Sequence, residues 1–274
     1  MKHAAPIGIF DSGYGGLTVF KAIAGRLPDY DYLYLGDNAR IPYGTRSFEA
    51  VYQFTLQGVR YLLAQGCSLV ILACNTASAK ALRQIQQLDL PTLAPEARVL
   101  GVLRPTTEVI GEFSHSGSIG IVATPGTVQS GSYPLEIRRF FPGLKVYQQA
   151  CPLWVPLVEN QEWDNPGGAY FLQKYLDALF AQSAAIDQVL LACTHYPVMA
   201  AQIAPFLPEG CGLISQGPIV ARSLEDYLRR HPEIAEKCSC GGTKTFLTTD
   251  DSNRFDAQAP AFWGEALQSR QVLL

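Results

Sequence analysis

Leu69–Ala79, LVILACNTASA, and Gln188–Val198, QVLLACTHYPV, are two versions of one pattern. Each is a short aliphatic run ending in Ala-Cys and followed at once by hydroxyl, amide or imidazole side chains. Such a run reads as a buried β-strand that delivers a thiol to its carboxyl end. A second echo lies upstream of each: IGIFDSGYGGLTV from Ile7 and IGIVATPGTVQSG from Ile119 are both apolar strands entering a glycine-containing turn. Asp11 precedes Cys74 by 63 positions and Thr124 precedes Cys193 by 69. The spacing predicts two half-molecules of similar plan, each offering one cysteine. With strands and helices alternating, the fold class is α/β: two pseudo-symmetric domains with mostly parallel sheets, their cysteine-bearing strand ends facing the cleft between them.

The bulk properties agree with a soluble globular protein. A chain of 274 residues, 48% hydrophobic and 16% charged, buries a sizeable core as one large or two ordinary domains. No apolar run approaches the roughly 20 residues that a bilayer requires, so no membrane partner is expected. The amino terminus, MKHAAPIGIF, lacks the apolar stretch and cleavage site of a secretory signal. A net charge of −3 and a pI near 5.8 predict no basic face for nucleic acid. Seven cysteines, an odd number, argue for reduced thiols rather than a disulfide framework, and hence for a cytoplasmic protein. Cys67 and Cys211 read as small buried hydrophobes, and Cys151, before Pro152, as structural. Cys238 and Cys240 form a C-x-C with His231 upstream, but without a second ligand pair to complete a zinc set. No metal is expected.

Taken in order, Ile7–Phe10 is a strand, Asp11-Ser12-Gly13-Tyr14-Gly15-Gly16 a turn, and LTVFKAIAGRL a helix. Asp11 and Ser12 therefore fall at a strand's carboxyl end, where ligands gather and a helix amino terminus offers free N–H groups. The turn lacks the G-x-G-x-x-G spacing of a dinucleotide loop, and an acid occupies the place of a pyrophosphate. YDYLYLGD is a second strand, followed by a loop carrying Tyr43 and Gly44 and a helix over 47–65. Cys74 sits where a strand passes into a helix over 75–87, and the helix dipole there is expected to lower its thiol pKa. The proline-rich composition of 89–97 marks a domain crossing, with 1–97 and 209–274 forming the first domain and 98–208 the second. In that second half Thr124-Pro125-Gly126-Thr127 takes the place of the acidic turn, a helix covers 127–140, and Glu159 follows an apolar run. The tail from 209 is expected to fold back onto the first half.

Two thiols at similar strand ends suit one kind of chemistry. Inverting a stereocentre by proton transfer takes a base on each face of the carbon, and an approximate two-fold axis between two halves supplies that opposition. A thiolate serves as such a base without a cofactor. Asp11 and His195 then tune the two thiols separately. Ser12, Asn75, Thr76, Thr194 and helix-start N–H groups provide donors for anionic substrate groups. The alternative from another class is a thiol redox or sensor protein in which Cys74 and Cys193 exchange a disulfide.

Together FDSGYGGLTV, GDNARIPYG, ACNTASA, CPLWVPLVE and CTHYP resemble glutamate racemase, of the cofactor-independent aspartate/glutamate racemase superfamily. The resemblance covers nearly the whole chain. It implies an isomerase of two α/β domains that interconverts L- and D-glutamate for peptidoglycan and cell-wall synthesis, with no cofactor and as a homodimer. It implies that Cys74 acts on D-glutamate and Cys193 on L-glutamate, that Asp11, Ser12, Tyr43, Gly44, Asn75, Thr76, Thr194 and His195 bind or position substrate, and that Glu159 assists His195. Aspartate or hydantoin racemase is the neighbouring alternative. Two segments depart from the family's pattern. Arg104-Pro105-Thr106 stands where Glu-Pro-Gly or Glu-Pro-Ala is common, and Ser215-Gln216 stands for Asp-Ser or Asp-Thr. With its short amino terminus the chain is expected to lack the activator-binding arm of some members.

Overall fold

The computed structural model describes residues 4–274. Strands β1 (Ile7–Asp11), β2 (Tyr32–Gly36), β3 (Leu69–Leu72) and β4 (Arg98–Gly101) lie in one sheet with β9 (Lys244–Thr248) and β10 (Ser269–Gln271), in the order β10-β9-β2-β1-β3-β4. The second sheet holds β5 (Ser118–Ala123), β6 (Lys145–Ala150), β7 (Gln188–Ala192) and β8 (Gly212–Ser215), in the order β6-β5-β7-β8. Pairing within both is parallel. The order β2-β1-β3-β4 in the first sheet is repeated as β6-β5-β7-β8 in the second. The echo between the sequence halves is therefore a repeat of topology.

The helices that matter for the site are α1 (Gly16–Arg26), α2 (Phe48–Ala64), α3 (Asn75–Lys80), α4 (Leu103–Thr107), α5 (Pro125–Ser130), α6 (Ser132–Phe140), α7 (Trp154–Glu159), α8 (Pro166–Phe180), α9 (Gln216–Arg230) and α10 (Pro260–Trp263). Helices cover both faces of the first sheet. Ile7, Ile9 and Ile71 join Leu17, Phe20 and Ile23 of α1 in one core cluster. Phe10, Val70 and Leu72, pointing the other way, join Val51, Leu56, Val59 and Leu62 of α2 in a second. Burial on both faces is why these strands are unbroken apolar runs rather than alternating ones. None of the described helices is long and apolar enough to cross a membrane.

Strand pairing moves both expected domain boundaries. Arg98–Gly101, expected to open the second domain at 98, is β4 and pairs with β3 in the first sheet. Gly212–Ser215, expected in the first domain, is β8 and pairs with β7 in the second. The proline-rich stretch before β4 is a connection inside the first half, with Pro91 in the first turn of a short helix. Proline interrupts helices and strands wherever a chain turns, so composition alone did not separate a loop from a domain crossing. The chain crosses after β4 and returns after β8. The tail does fold back, because β9 and β10 extend the first sheet beyond β2. The helix expected over 127–140 is split into α5 and α6 by Gly131, whose φ of +63° is open to glycine.

Burial has a consequence for alkaline stability. The thiols of Cys67, Cys74 and Cys238 are each pushed up to about 12 from an ordinary 9.0, desolvation being the largest cause. A raised pKa means that the folded state keeps its proton while the unfolded chain releases it. The stabilisation is therefore complete below about pH 9 and is lost as pH climbs towards 12, by about 1.4 kcal/mol per pH unit for each such group. The urea midpoint, level near pH 8, should fall steadily from pH 9 to 11, and Cys67→Ala should make that fall shallower.

Candidate active site

In both sheets the strand order reverses between the first and third strands of the half, and side chains beyond the carboxyl ends of those strands meet in the crevice. β1 ends in Asp11 and Ser12, and β3 runs into Cys74. β5 leads to Thr124, and β7 to Cys193, Thr194 and His195. The residues of both thiols line one cavity of about 90 Å³ between the two sheets. Ser12, Tyr43, Gly44, Asn75, Thr76, Glu159, Thr194 and His195 line it as well. Of the expected site residues only Asp11 is not in its wall.

Cys74 is the N-cap of α3. Its sulfur accepts the Ala77 N–H at 3.4 Å, and its thiol donates to Ser12 Oγ at 3.5 Å. The expectation that the helix terminus lowers this thiol's pKa is overturned. Burial is the largest influence and the Asp11 carboxylate the next, and together they lift it to about 12 against the Ala77 N–H and the Ser12 hydroxyl, both of which donate to the sulfur once it is ionised. Removing a thiolate from water costs more than one helix turn returns.

Cys193 has a different neighbourhood. Its sulfur is 4.0 Å from His195 Nδ1, while His195 Nε2 is 3.0 Å from Glu159 Oε1 at the end of α7. The His195 side chain is 4% exposed, yet its pKa rises to about 10. Burial alone would depress it, but the hydrogen bonds to Cys193 and Glu159 favour the charged ring and win. Cys193 is thus flanked by an imidazolium held by a carboxylate, whereas Cys74 is flanked by an acid.

Asp11, expected to touch substrate, is fully buried behind the cavity wall. Oδ2 accepts the Gly13 N–H at 3.0 Å and Oδ1 the Thr194 hydroxyl at 3.5 Å. Its pKa is raised by desolvation and drawn back by the charge of His195. Its charge is felt at Cys74 and His195, and its hydrogen bond reaches Thr194. The double glycine after it is a packing requirement. A Cβ on Gly15 would lie 2.4 Å from Thr194 Oγ1 and His195 Nδ1, and one on Gly16 would lie 2.4 Å from Asp11 Cβ.

Three other expected site residues are bonded to protein partners. The Tyr43 hydroxyl donates to Asp37, which also accepts the Thr249 hydroxyl at 2.8 Å and Arg40 Nε at 2.6 Å. What the Tyr43-Gly44 loop brings to the cavity is backbone, closed against Thr124, where a Cβ on Gly44 would meet Thr124 Cβ at 2.7 Å. The Asn75 amide is bonded to Gln216 and Tyr133. Thr76 bonds across the interface to Thr124 at 2.9 Å and to Thr127 at 3.3 Å.

The sequence reading missed four positions. Thr124 and Cys151 line the cavity. Thr124 was visible as the counterpart of Asp11 in the repeat, whereas no local signal marked Cys151. Asp37, which holds Tyr43, ends the YLYLGD strand and could have been found as another strand-end acid. Gln216, which holds Asn75, lies in a segment singled out only as a departure. Outside the site, the Cys238 thiol donates to the Ile234 carbonyl at 3.3 Å, and His231 pairs with Glu233 at 3.2 Å.

Comparison with known proteins agrees with this arrangement. A family model described as Asp/Glu/Hydantoin racemase matches residues 17–224. The glutamate racemase of Paracoccus denitrificans is 39% identical over 266 residues, covering 93% of this chain and 96% of that protein. Among solved structures, a glutamate racemase isoform of Bacillus anthracis superposes with a TM-score of 0.89 at 32% identity, covering 100% of this chain and 99% of that one. A glutamate racemase of Francisella tularensis in complex with D-glutamate superposes with a TM-score of 0.87 at 30% identity, covering 98% of each chain. Likeness of this extent, in sequence as well as in fold, means that this chain belongs to the Asp/Glu/hydantoin racemase family, among its glutamate racemases.

Proposed function

We propose that this protein interconverts L- and D-glutamate by moving a proton between two cysteines, without a cofactor, and so supplies D-glutamate for peptidoglycan synthesis in the cytoplasm. The observation that carries the reading is that one thiol from each half lines a single cavity. In one direction the Cys74 thiolate takes the α-proton and the Cys193 thiol returns one to the opposite face. In the other direction the roles exchange, with Cys74 serving D-glutamate and Cys193 L-glutamate. Ser12, Thr76, Thr194 and N–H groups of Gly44 and of the first turn of α3 receive the carboxylates. The imidazolium of His195, oriented by Glu159, stands beside the Cys193 sulfur, and Asp11 works from behind the wall. A homodimer is the assembly that accompanies this reading.

The direct experiment is racemisation in deuterated water. At early times the product enantiomer should carry deuterium at Cα while the remaining substrate keeps its protium, because the returning proton comes from the second thiol. Internal return of the original proton would show a single base and end the two-base reading. Cys74→Ser and Cys193→Ser should each lower kcat by about 10²–10⁴-fold. Aspartate and a hydantoin, tested beside glutamate, check the substrate.

The His195 ring supplies a second check. Followed by NMR, it should titrate near pH 10 in the unmodified protein. In Glu159→Gln, where the carboxylate that favours the cation is gone, the midpoint should move down. An unmoved midpoint would show that Glu159 does not act through this ring.

A further inference from the structure

Directly behind Cys74, buried polar side chains from four helices close into one hydrogen-bonded ring with a branch. Asn75 opens α3, Tyr133 lies on α6, Thr106 on α4, and Gln216 opens α9 where the chain returns from β8. All four are buried. The ring runs in a single sense: Asn75 Nδ2 donates to Gln216 Oε1 at 2.7 Å, Gln216 Nε2 to Tyr133 OH at 2.8 Å, and Tyr133 OH to Asn75 Oδ1 at 2.6 Å. The branch leaves through Gln216 Nε2, which also donates to Thr106 Oγ1 at 2.9 Å, and Thr106 donates onward to the Val102 carbonyl at 3.0 Å. Turning the Gln216 amide alone would set donor against donor at Asn75, so the orientations of the two amides are linked. Thr106 and Gln216 lie in the two segments that depart from the family's pattern, and here those departures touch.

Position gives the ring its leverage. α4 and α9 begin just after the two places where the chain crosses between sheets, and α6 belongs to the second half while α3 belongs to the first. Gln216 is the member bonded to all three others. α3 is only six residues long, too short to hold its own direction, and its N–H at Ala77 is the one that reaches the Cys74 sulfur. A buried ring with every donor matched is stiff, and removing one member leaves the rest unpaired in a dry site.

We propose that Gln216 is a positioning residue for Cys74: by holding Asn75 at the junction of the two crossovers, it aims the first turn of α3 at the sulfur and sets the closure of the halves. Its consequence for turnover rests on the racemase reading. Its consequence for the reactivity of Cys74 does not.

Gln216→Met keeps the length and removes every hydrogen bond, and Tyr133→Phe removes one hydroxyl and keeps the ring volume. Each folded protein is alkylated with iodoacetamide at fixed pH and the sites are followed by peptide mapping. With the Ala77 N–H misaligned the Cys74 thiolate is less stabilised, so alkylation of Cys74 should slow about threefold while that of Cys193 holds. On glutamate, kcat should fall about tenfold with KM little changed, as for a group felt in the transition state. Unchanged or faster alkylation of Cys74, or equal slowing at both thiols, overturns the proposal. Should Gln216→Met not fold, Tyr133→Phe is read by the same criteria. If the unmodified protein fails to racemise glutamate, the functional reading falls, and alkylation still decides the role of Gln216.

Discussion

Hydroxyl, amide and carboxylate groups buried between the two halves find their partners across the interface, and the placement of the thiols depends on that. Thr76 of the first half bonds to Thr124 of the second, Thr194 to Asp11, and Tyr133 to Asn75. Thr18 adds a bond from α1 to the Thr194 carbonyl at 2.9 Å. Leaving such groups unpaired and out of water costs about 1–3 kcal/mol each. The halves therefore close in the one register that satisfies them all, and that register brings Cys74 and Cys193 to the same cavity. Apolar packing alone tolerates sliding, whereas a set of directional bonds does not.

Topology is repeated between the halves, but electrostatics is not. Burial and, next, the carboxylate of Asp11 push the Cys74 thiol up, and the Ala77 N–H and the Ser12 hydroxyl are the counterweights. Cys193 faces a charged imidazole backed by a carboxylate. A racemase handles mirror-image substrates with one asymmetric protein, so its two bases need equivalent reach and not equivalent surroundings. The unequal neighbours give the two thiols different electrostatic surroundings within one cavity.

Glycine at three positions makes this closeness possible. Gly15 and Gly16 let the start of α1 lie against Thr194, His195 and Asp11, and Gly44 lets its loop close on Thr124. The chain gives up side-chain packing there so that polar groups from both halves can reach one small space. The Gly-rich turn, which lacks the spacing of a dinucleotide loop, follows a buried acid and packs against an imidazole.

Much of this was legible in the sequence. The aliphatic runs ending in Ala-Cys specified buried parallel strands, because a strand covered on both faces has no polar alternation to show. Their repetition specified two halves with a thiol at each strand end, and the short-range identity of the motifs specified the family. What the sequence left open depends on contacts between residues far apart along the chain. Strand pairing put Arg98–Gly101 and Gly212–Ser215 in the sheets opposite to those expected, burial reversed the expected shift at Cys74, and partners found only in three dimensions engaged Tyr43 with Asp37 and Asn75 with Gln216 and Tyr133. Local sequence determines what a segment can become, since periodicity and turn chemistry act over a few residues. Only the folded whole decides which neighbours a buried polar group meets and how much water it loses, and those two quantities determine its charge and its aim.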